Sequence, residues 1–500
     1  MNTGEEHQNM YDMQPYLNRI DEVIEKGPFK DTWDSLSAFQ PPEWYKNAKF
    51  GIFIHWGIYS VPSFANEWYS RGMYIQGSRE FDHHVKTWGP HKEFGYKDFI
   101  PLFKAEKFDP DAWADLFRQA GARYVVPVAE HHDGFQMYES EISRWNAARM
   151  GPCRNVLGEL KEAVEKRGMV LGASSHRMEH WFFMSHGRDF DSDIHDPMER
   201  GDFYWPAMPE PKNHFDLYDS PPSDEFLQDW LVRCCEIVDR YQPRLVYFDW
   251  WIQHSRAKPY LKKFAAYYYN RAAEWGAEVA ITYKHEAFMF GAAVPDVERG
   301  QFSEAKPYFW QSDTAIARNS WCYTEGNDYK SARVILCDLM DIVSKNGTLL
   351  LNVGPRPDGS IGPEDQAVLR EIGEWMAVNG EAVYDTKVWR KSMEGPTLVQ
   401  EGQFTDGADK VFTKEDIRFT AKGKYIYAAV LSWPEDGQVN IRSLSRSAQA
   451  HLPLFQGIIR DVDVLGLADK PVWSREDDGL HVSAPGMKTD KPVIIRVTVD

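Results

Sequence analysis

The sequence is poor in cysteine. Five residues, Cys153, Cys234, Cys235, Cys322 and Cys337, are spread over 500 positions with no CxxC pair. So sparse and odd a set argues against a disulfide framework or a zinc ribbon. Long hydrophobic runs are missing as well: no stretch of 18 apolar residues occurs, so no membrane-spanning helix is expected. Basic charge is in deficit, with 57 Lys and Arg against 75 Asp and Glu and a formal net charge of −18. No nucleic-acid or membrane partner is therefore expected. Residues 1–20 carry neither a basic n-region nor an apolar h-region. The expectation is a cytoplasmic protein, or a secreted or periplasmic one whose leader has been removed. No GxGxxG or Walker-type loop follows any strand-like run, which counts against the nucleotide-binding folds.

Aromatic residues, by contrast, are plentiful. Trp (19), Tyr (24) and Phe (28) make up 14% of the chain. Many adjoin polar tips: His55–Trp56, Glu67–Trp68 and Asp249–Trp250–Trp251. Such neighbours suit sugars, whose C–H faces stack on π-systems while their hydroxyls take hydrogen bonds. The plainer reading is an aromatic-rich core. Overall hydrophobic content of 43% with 26% charged residues is that of a globular chain, and 500 residues predict one large domain and a smaller one.

Residues 1–45 are polar, with an amphipathic stretch near Tyr16–Glu25. Seven short apolar runs follow, most of them paired with helical patterns: residues 50–57, 122–132, 169–176, 244–251, 278–284, 294–300 and 349–355. The run at 244–251 follows a helical stretch for which Ser223 is the expected N-cap. Apolar strands alternating with helices predict a parallel sheet covered on both faces. Their number fits a (β/α)8-like barrel better than a doubly wound sheet. An irregular barrel with fewer than eight helices is the second architecture. From about Thr386 the pattern changes to short alternating runs, 416–433, 437–445, 451–466 and 491–500, which predict an antiparallel β-sandwich. The expected division is 1–384 for a catalytic barrel with an N-terminal extension and 385–500 for the sandwich.

In a parallel barrel the active site lies at the carboxyl ends of the strands. Those ends carry His55, then Glu130, His131, His132 and Asp133, then Ser174, Ser175 and His176, then Asp249, and finally Asp296, Glu298 and Arg299. His131 and His132 invite a metal reading, but adjacent strand residues point to opposite faces, and no metal or other cofactor is expected. Asp249 closes the apolar run VYFDWW, where an uncompensated charge would be costly, so function or a buried ion pair must explain it. Two carboxylates on separate strands suffice for glycoside hydrolysis. Asp249 is one, and its candidate partners are Glu298, Glu304 and Glu286.

Several segments in order then resemble one known family: EWYKNAKFGIFIHWGIYSVP, NEWYSRGMY, ARYVVPVAEHHDGFQMYES, RLVYFDWW, WQSDTAIARNSWCY, DIVSKNGTLLLNVGPRPDG and NGEAVYDT. Together they are similar to the α-L-fucosidases of glycoside hydrolase family 29, over most of residues 43–390. The resemblance implies a (β/α) barrel with a C-terminal β-sandwich. It implies a retaining exo-α-L-fucosidase acting on fucosylated oligosaccharides or glycoconjugates. A related exo-glycosidase, cleaving α-L-galactosides or β-D-galactosides, and an inactive fucose-binding protein are the alternatives.

By the same resemblance Asp249 is the nucleophile, and the general acid/base is Glu298 or else Glu304. His55, Glu67, Trp68, His131 and His132 hold the sugar hydroxyls and pack near its methyl. Tyr247 stands where many members have Trp, and Arg299 is a pocket arginine or a partner of the acid. Trp310, which opens the WQSDTA segment, is counted with the substrate contacts. The chain departs from the family at the third strand, where Ala173–Ser174–Ser175–His176 replaces a Tyr-Tyr-Ser or Tyr-His-Ser run and His176 or Glu179 substitutes. A contribution of the sandwich to the leaving-group side and a homo-oligomeric assembly both stay open.

Overall fold

The computed structural model describes residues 11–446 and 455–500. Residues 1–10, half of the stretch read for a leader, and His451–Leu454 of the predicted run 451–466 lie outside them. The amphipathic N-terminal stretch is a helix, Gln14–Lys26, whose Ile20 and Ile24 are buried.

Eight parallel strands then close a barrel in sequence order: β1 (Phe50–Ile54), β2 (Tyr124–Glu130), β3 (Val170–Ser175), β4 (Leu245–Phe248), β5 (Ala280–Tyr283), β6 (Val294–Glu298), β7 (Trp310–Ala315) and β8 (Gly347–Val353). The last strand pairs with the first, Ile52 opposite Leu351. Every residue of β1, β2, β4, β5 and β8 is buried, as a sheet covered on both faces requires. Ser223 caps the helix Asp224–Tyr241 by accepting the Phe226 amide at 3.1 Å, satisfying one of the helix's orphan donors.

Seven of these strands coincide with the apolar runs; β7 does not. Its sequence, WQSDTA, alternates polar residues into the barrel rather than apolar ones. Gln311 accepts from the Tyr45 hydroxyl at 2.5 Å and donates to Asp296 at 2.7 Å. Asp313 accepts from the Tyr247 hydroxyl at 2.6 Å and from Lys284 Nζ at 3.1 Å. Buried polar groups are tolerated because each has a partner, and the hydrophobic signal that marks a strand is lost.

The helical shell is incomplete. Between β5 and β6, and again between β6 and β7, the chain crosses without a helix. The architecture is thus a closed eight-stranded barrel whose shell lacks a helix at two of its crossovers.

The C-terminal region forms two antiparallel sheets. One has the order β13-β16-β11-β10-β9, with β9 (Lys387–Glu394), β10 (Ile417–Lys422), β11 (Tyr425–Val430), β13 (Ile459–Val464) and β16 (Val493–Val499). The other has the order β12-β15-β14, with β12 (Gln438–Ile441), β14 (Val472–Arg475) and β15 (Leu480–Ser483). Phe419, Ile426, Val439, Val462, Leu480 and Ile495 form the core between them. A buried pair, Arg418 with Asp341 of the helix Ala332–Ser344, ties the larger sheet to the barrel.

Candidate active site

A cavity of about 370 Å³ opens at the carboxyl ends of the barrel strands, at the small end of the usual range for small-molecule sites. His55 (after β1), His131 and His132 (after β2), His176 (after β3), Tyr247 and Asp249 (β4 and its end) and Glu298 (end of β6) line it, with Glu67, Trp68, Glu179, Trp250, Trp251, Trp321 and Phe404. The expected alternation of His131 and His132 does not apply. β2 ends at Glu130, so both imidazoles lie on the following turn and both reach the cavity.

Hydrogen bonds fix the histidine tautomers. Asn352 donates to the Trp321 carbonyl at 2.6 Å, so its Oδ1 faces His55 Nδ1 at 2.7 Å and must accept. His55 therefore carries its proton on Nδ1, leaving Nε2 an acceptor. His132 Nδ1 donates to the His176 carbonyl at 2.9 Å, leaving its Nε2 an acceptor too. That nitrogen lies 3.6 Å from Asp249 Oδ2. Two acceptors facing each other leave room for one shared proton donor, such as a hydroxyl. His176 donates from Nδ1 to Asp249 Oδ2 at 2.9 Å and accepts from Ser174 Oγ at 3.0 Å. Burial keeps three of the rings neutral: it lowers the basicity of His55 and His131 strongly, and that of His132 to about 3.

Two overlapping ligand sets, His55–His131–His176 and His132–His176–Asp249, bring their donor atoms within 4.8 Å. His176 belongs to both, and both its ring nitrogens are engaged as just described, so an ion would have to displace Ser174 or Asp249.

The carboxyl groups divide. Asp249 stays ionised well below the usual carboxylate range. Burial opposes this, but His176, His132 and Lys284 outweigh it. Burial pushes the Glu298 carboxyl up to about 8, with Lys284 opposing and Asp249 and Asp313 adding to the rise. Lys284 itself, at the end of β5, is fully buried against Asp296 and Asp313 and lies 3.5 Å from Glu298 Oε2. Trp250 Nε1 also donates to Glu298 Oε2. Glu67 accepts the Trp321 amide at 2.9 Å, and its Oε1 remains for a ligand. Glu179 is 1% exposed, and neither carboxyl oxygen makes a well-formed hydrogen bond, the Trp251 side chain being the donor beside it. His132 Nδ1, 3.5 Å away, already donates to the His176 carbonyl. His131 Nδ1 is likewise buried and unsatisfied. These polar groups, with the acceptor nitrogens of His55 and His132, give the cavity a lining that suits a polyhydroxylated ligand.

Five sequence candidates fall elsewhere. Trp310 opens β7 at the far end of the barrel, where its ring packs on Phe302 and Nε1 donates to the Lys345 carbonyl at 2.9 Å. Arg299 sits under Trp321, 4.5 Å from its ring, and donates to the carbonyls of Ala317, Arg318 and Ser320. It shapes the loop that carries Trp321 and is neither a pocket arginine nor a partner of Glu298. Glu304 and Glu286 are exposed outside the cavity. Glu130 points away from the cavity into a closed network with Arg177, Asp229 and Arg233. Sequence reasoning missed Lys284, Asp313, Asn352 and Phe404. Lys284 had a signal, since it is a lone charge closing an apolar strand, the criterion that selected Asp249.

Comparison with known proteins follows the geometry. Residues 17–381 match the α-L-fucosidase family model, and residues 410–495 match that of the α-L-fucosidase C-terminal domain. The tissue α-L-fucosidase of Bos taurus is 31% identical over 462 residues, covering 89% of this chain and 85% of the relative. The plasma α-L-fucosidase of Homo sapiens is 30% identical over 475 residues, covering 91% and 88%. The crystal structure of Thermotoga maritima α-fucosidase in complex with fucose superposes with a TM-score of 0.72 at 28% identity, covering 94% of this chain and all of that one. On the match across the barrel and on these relatives, the chain belongs to the α-L-fucosidase family.

Proposed function

We propose that this protein is a retaining exo-α-L-fucosidase that removes terminal fucose from glycans. One observation carries the reading: Asp249 and Glu298 face one cavity with their acidities driven apart, one ionised and one protonated at neutral pH. Opposed environments of this kind separate nucleophile from acid.

In the first step Asp249 attacks C1, its Oδ2 held by the His176 N–H. The C1–oxygen bond breaks, and the Glu298 proton passes to the departing oxygen. In the second step Glu298, now a carboxylate, takes a proton from water, which attacks C1 and frees Asp249. The acceptor nitrogens of His55 and His132 and the free oxygen of Glu67 take hydroxyl protons from the sugar. Trp68, Tyr247 and Trp321 cover its C–H faces and methyl. On the same reading the catalytic unit ends near Tyr384, just before β9 begins at Lys387.

The test is 4-nitrophenol release from α-L-fucoside, α-L-galactoside, β-D-galactoside and β-D-fucoside, by wild type and Asp249→Ala. Turnover of the α-L-fucoside that drops at least ~10⁴-fold in the variant, with partial recovery in azide, is expected. Preferential turnover of either galactoside would replace the fucosidase assignment. A near-normal Asp249→Ala rate would sink the nucleophile.

A further inference from the structure

The mouth of the cavity includes a residue from a distant part of the chain. Phe404 lies in the connection between β9 and β10, yet it lines the same cavity as Asp249. This connection is fastened along the end of β6. The Gly402 amide donates to the Gln301 carbonyl at 3.1 Å, Phe404 to Glu298 at 2.8 Å, and Thr405 to Arg299 at 2.8 Å. The Gln403 side chain accepts the Glu298 amide. Asp406 anchors the far side through Thr314 and Lys330. Phe404 is thus held from both sides, although its own side chain is 55% exposed.

Stability does not account for that residue. Its φ of 55° is a left-handed conformation that a non-glycine residue adopts at a cost. Its ring stacks on Trp250, with centroids 5.7 Å apart and planes 20° from parallel. Trp250 donates to the carboxyl of Glu298. Whatever leaves with the oxygen protonated by Glu298 therefore departs within one side chain of this aromatic pair.

We propose that Trp250 and Phe404 form the platform on which the pyranose ring of the leaving group stacks, so that the β9–β10 connection supplies the leaving-group subsite. The proposal rests on the fucosidase reading and deepens it. An exposed Phe404 stacked on a half-buried Trp250 beside a proton donor matches the apolar C–H face of a sugar whose glycosidic oxygen faces that donor. Among the described residues no Lys or Arg lines the cavity, whereas Glu67, Glu179, Asp249 and Glu298 do. The sugar favoured is therefore neutral, a hexose or N-acetylhexosamine, and not a sulfated or acidic one.

The experiment compares two substrates on the full-length enzyme. α-L-Fucosyl fluoride has no leaving-group ring, and an α-L-fucosyl-galactose disaccharide has one. Phe404→Ala should lower kcat/KM on the disaccharide roughly tenfold to fiftyfold, mainly through KM, and at least tenfold more than on the fluoride. Phe404→Leu, which keeps bulk without a π-face, should fall between, and Phe404→Tyr should restore most of the activity. The basic limb of the pH profile should stay where it is. Equal losses on both substrates, or a loss accompanied by a shifted basic limb, would overturn the platform: the first makes Phe404 a structural residue, the second a positioning residue for Glu298. A wild type inert toward both substrates would defeat the fucosidase reading itself, and is distinguished by the fluoride arm.

Discussion

Two buried charge clusters lie on either side of the β2–β3 strand ends, and they are balanced differently. Behind the strands, Arg177 and Arg233 face Glu130 and Asp229, with four contacts between 2.8 and 3.1 Å. Cations and carboxylates are equal in number and each is paired. Towards the cavity, Asp249, Glu298, Asp296 and Asp313 share one fixed cation, Lys284, while Glu179 lies beside His132, which burial keeps neutral. Burial in low dielectric penalises every charge left over. The cavity cluster resolves its deficit by keeping protons: Glu298, Glu179 and Asp296 are all pushed above the usual carboxylate range. The balanced cluster is a scaffold, which fixes Arg177 so that its neighbour His176 faces Asp249. The unbalanced one holds a transferable proton beside an ionised nucleophile, which is what catalysis needs.

Variants that change either balance sharpen this contrast. Glu298→Gln removes the proton and should cost on the order of 10³-fold or more on a disaccharide, with a smaller loss on 4-nitrophenyl fucoside, whose leaving group needs little help. Similar losses on both would assign Glu298 another role. Lys284→Met removes the one cation. Steady-state kinetics should show kcat lower by about 10²-fold, because Asp249 loses part of what keeps it ionised. The pH profile follows from the same groups. Glu298 must be protonated to act, so kcat/KM should decline as pH rises through about 8, while Asp249 stays ionised throughout the neutral range. A flat profile from pH 6 to 9 would contradict it. Glu179→Gln should be mild by comparison, roughly tenfold in kcat/KM, since the amide preserves shape and part of the hydrogen bonding. Least affected in turnover is Arg233→Met, which breaks the balanced cluster. Denaturant unfolding should show a loss of about 3–5 kcal/mol, with kcat on folded enzyme within a few-fold of wild type.

The same contrast explains what was legible from the sequence. Seven strands announced themselves because burial on both faces demands uniform apolarity, and Asp249 stood out as the exception closing one of them. β7 was silent because Gln311 and Asp313 point into a polar barrel interior, where hydrogen bonds replace hydrophobic contacts. Glu130 and Glu298 both end barrel strands and look alike on paper. Only packing shows that Arg177 and Arg233 claim the first and leave the second free. Trp310 and Arg299 were drawn in by adjacency to family segments, although one sits at the opposite end of β7 and the other is spent on backbone carbonyls. Phe404 had no sequence signal at all. It is over 100 positions from Glu298, and local patterns say nothing about which loop crosses to which strand end.

The missing helix after β6 has a consequence for how the protein can be divided. With no helix after that strand, a segment beyond residue 400 clasps the backbone of Glu298. Folding modules and the working unit therefore do not share a border. A barrel excised at the change from parallel to antiparallel strands would keep its nucleophile and its sugar-binding histidines. It would also release the peptide that carries its acid. The C-terminal region is therefore not a transplantable accessory: exchanging it between relatives amounts to editing the active site.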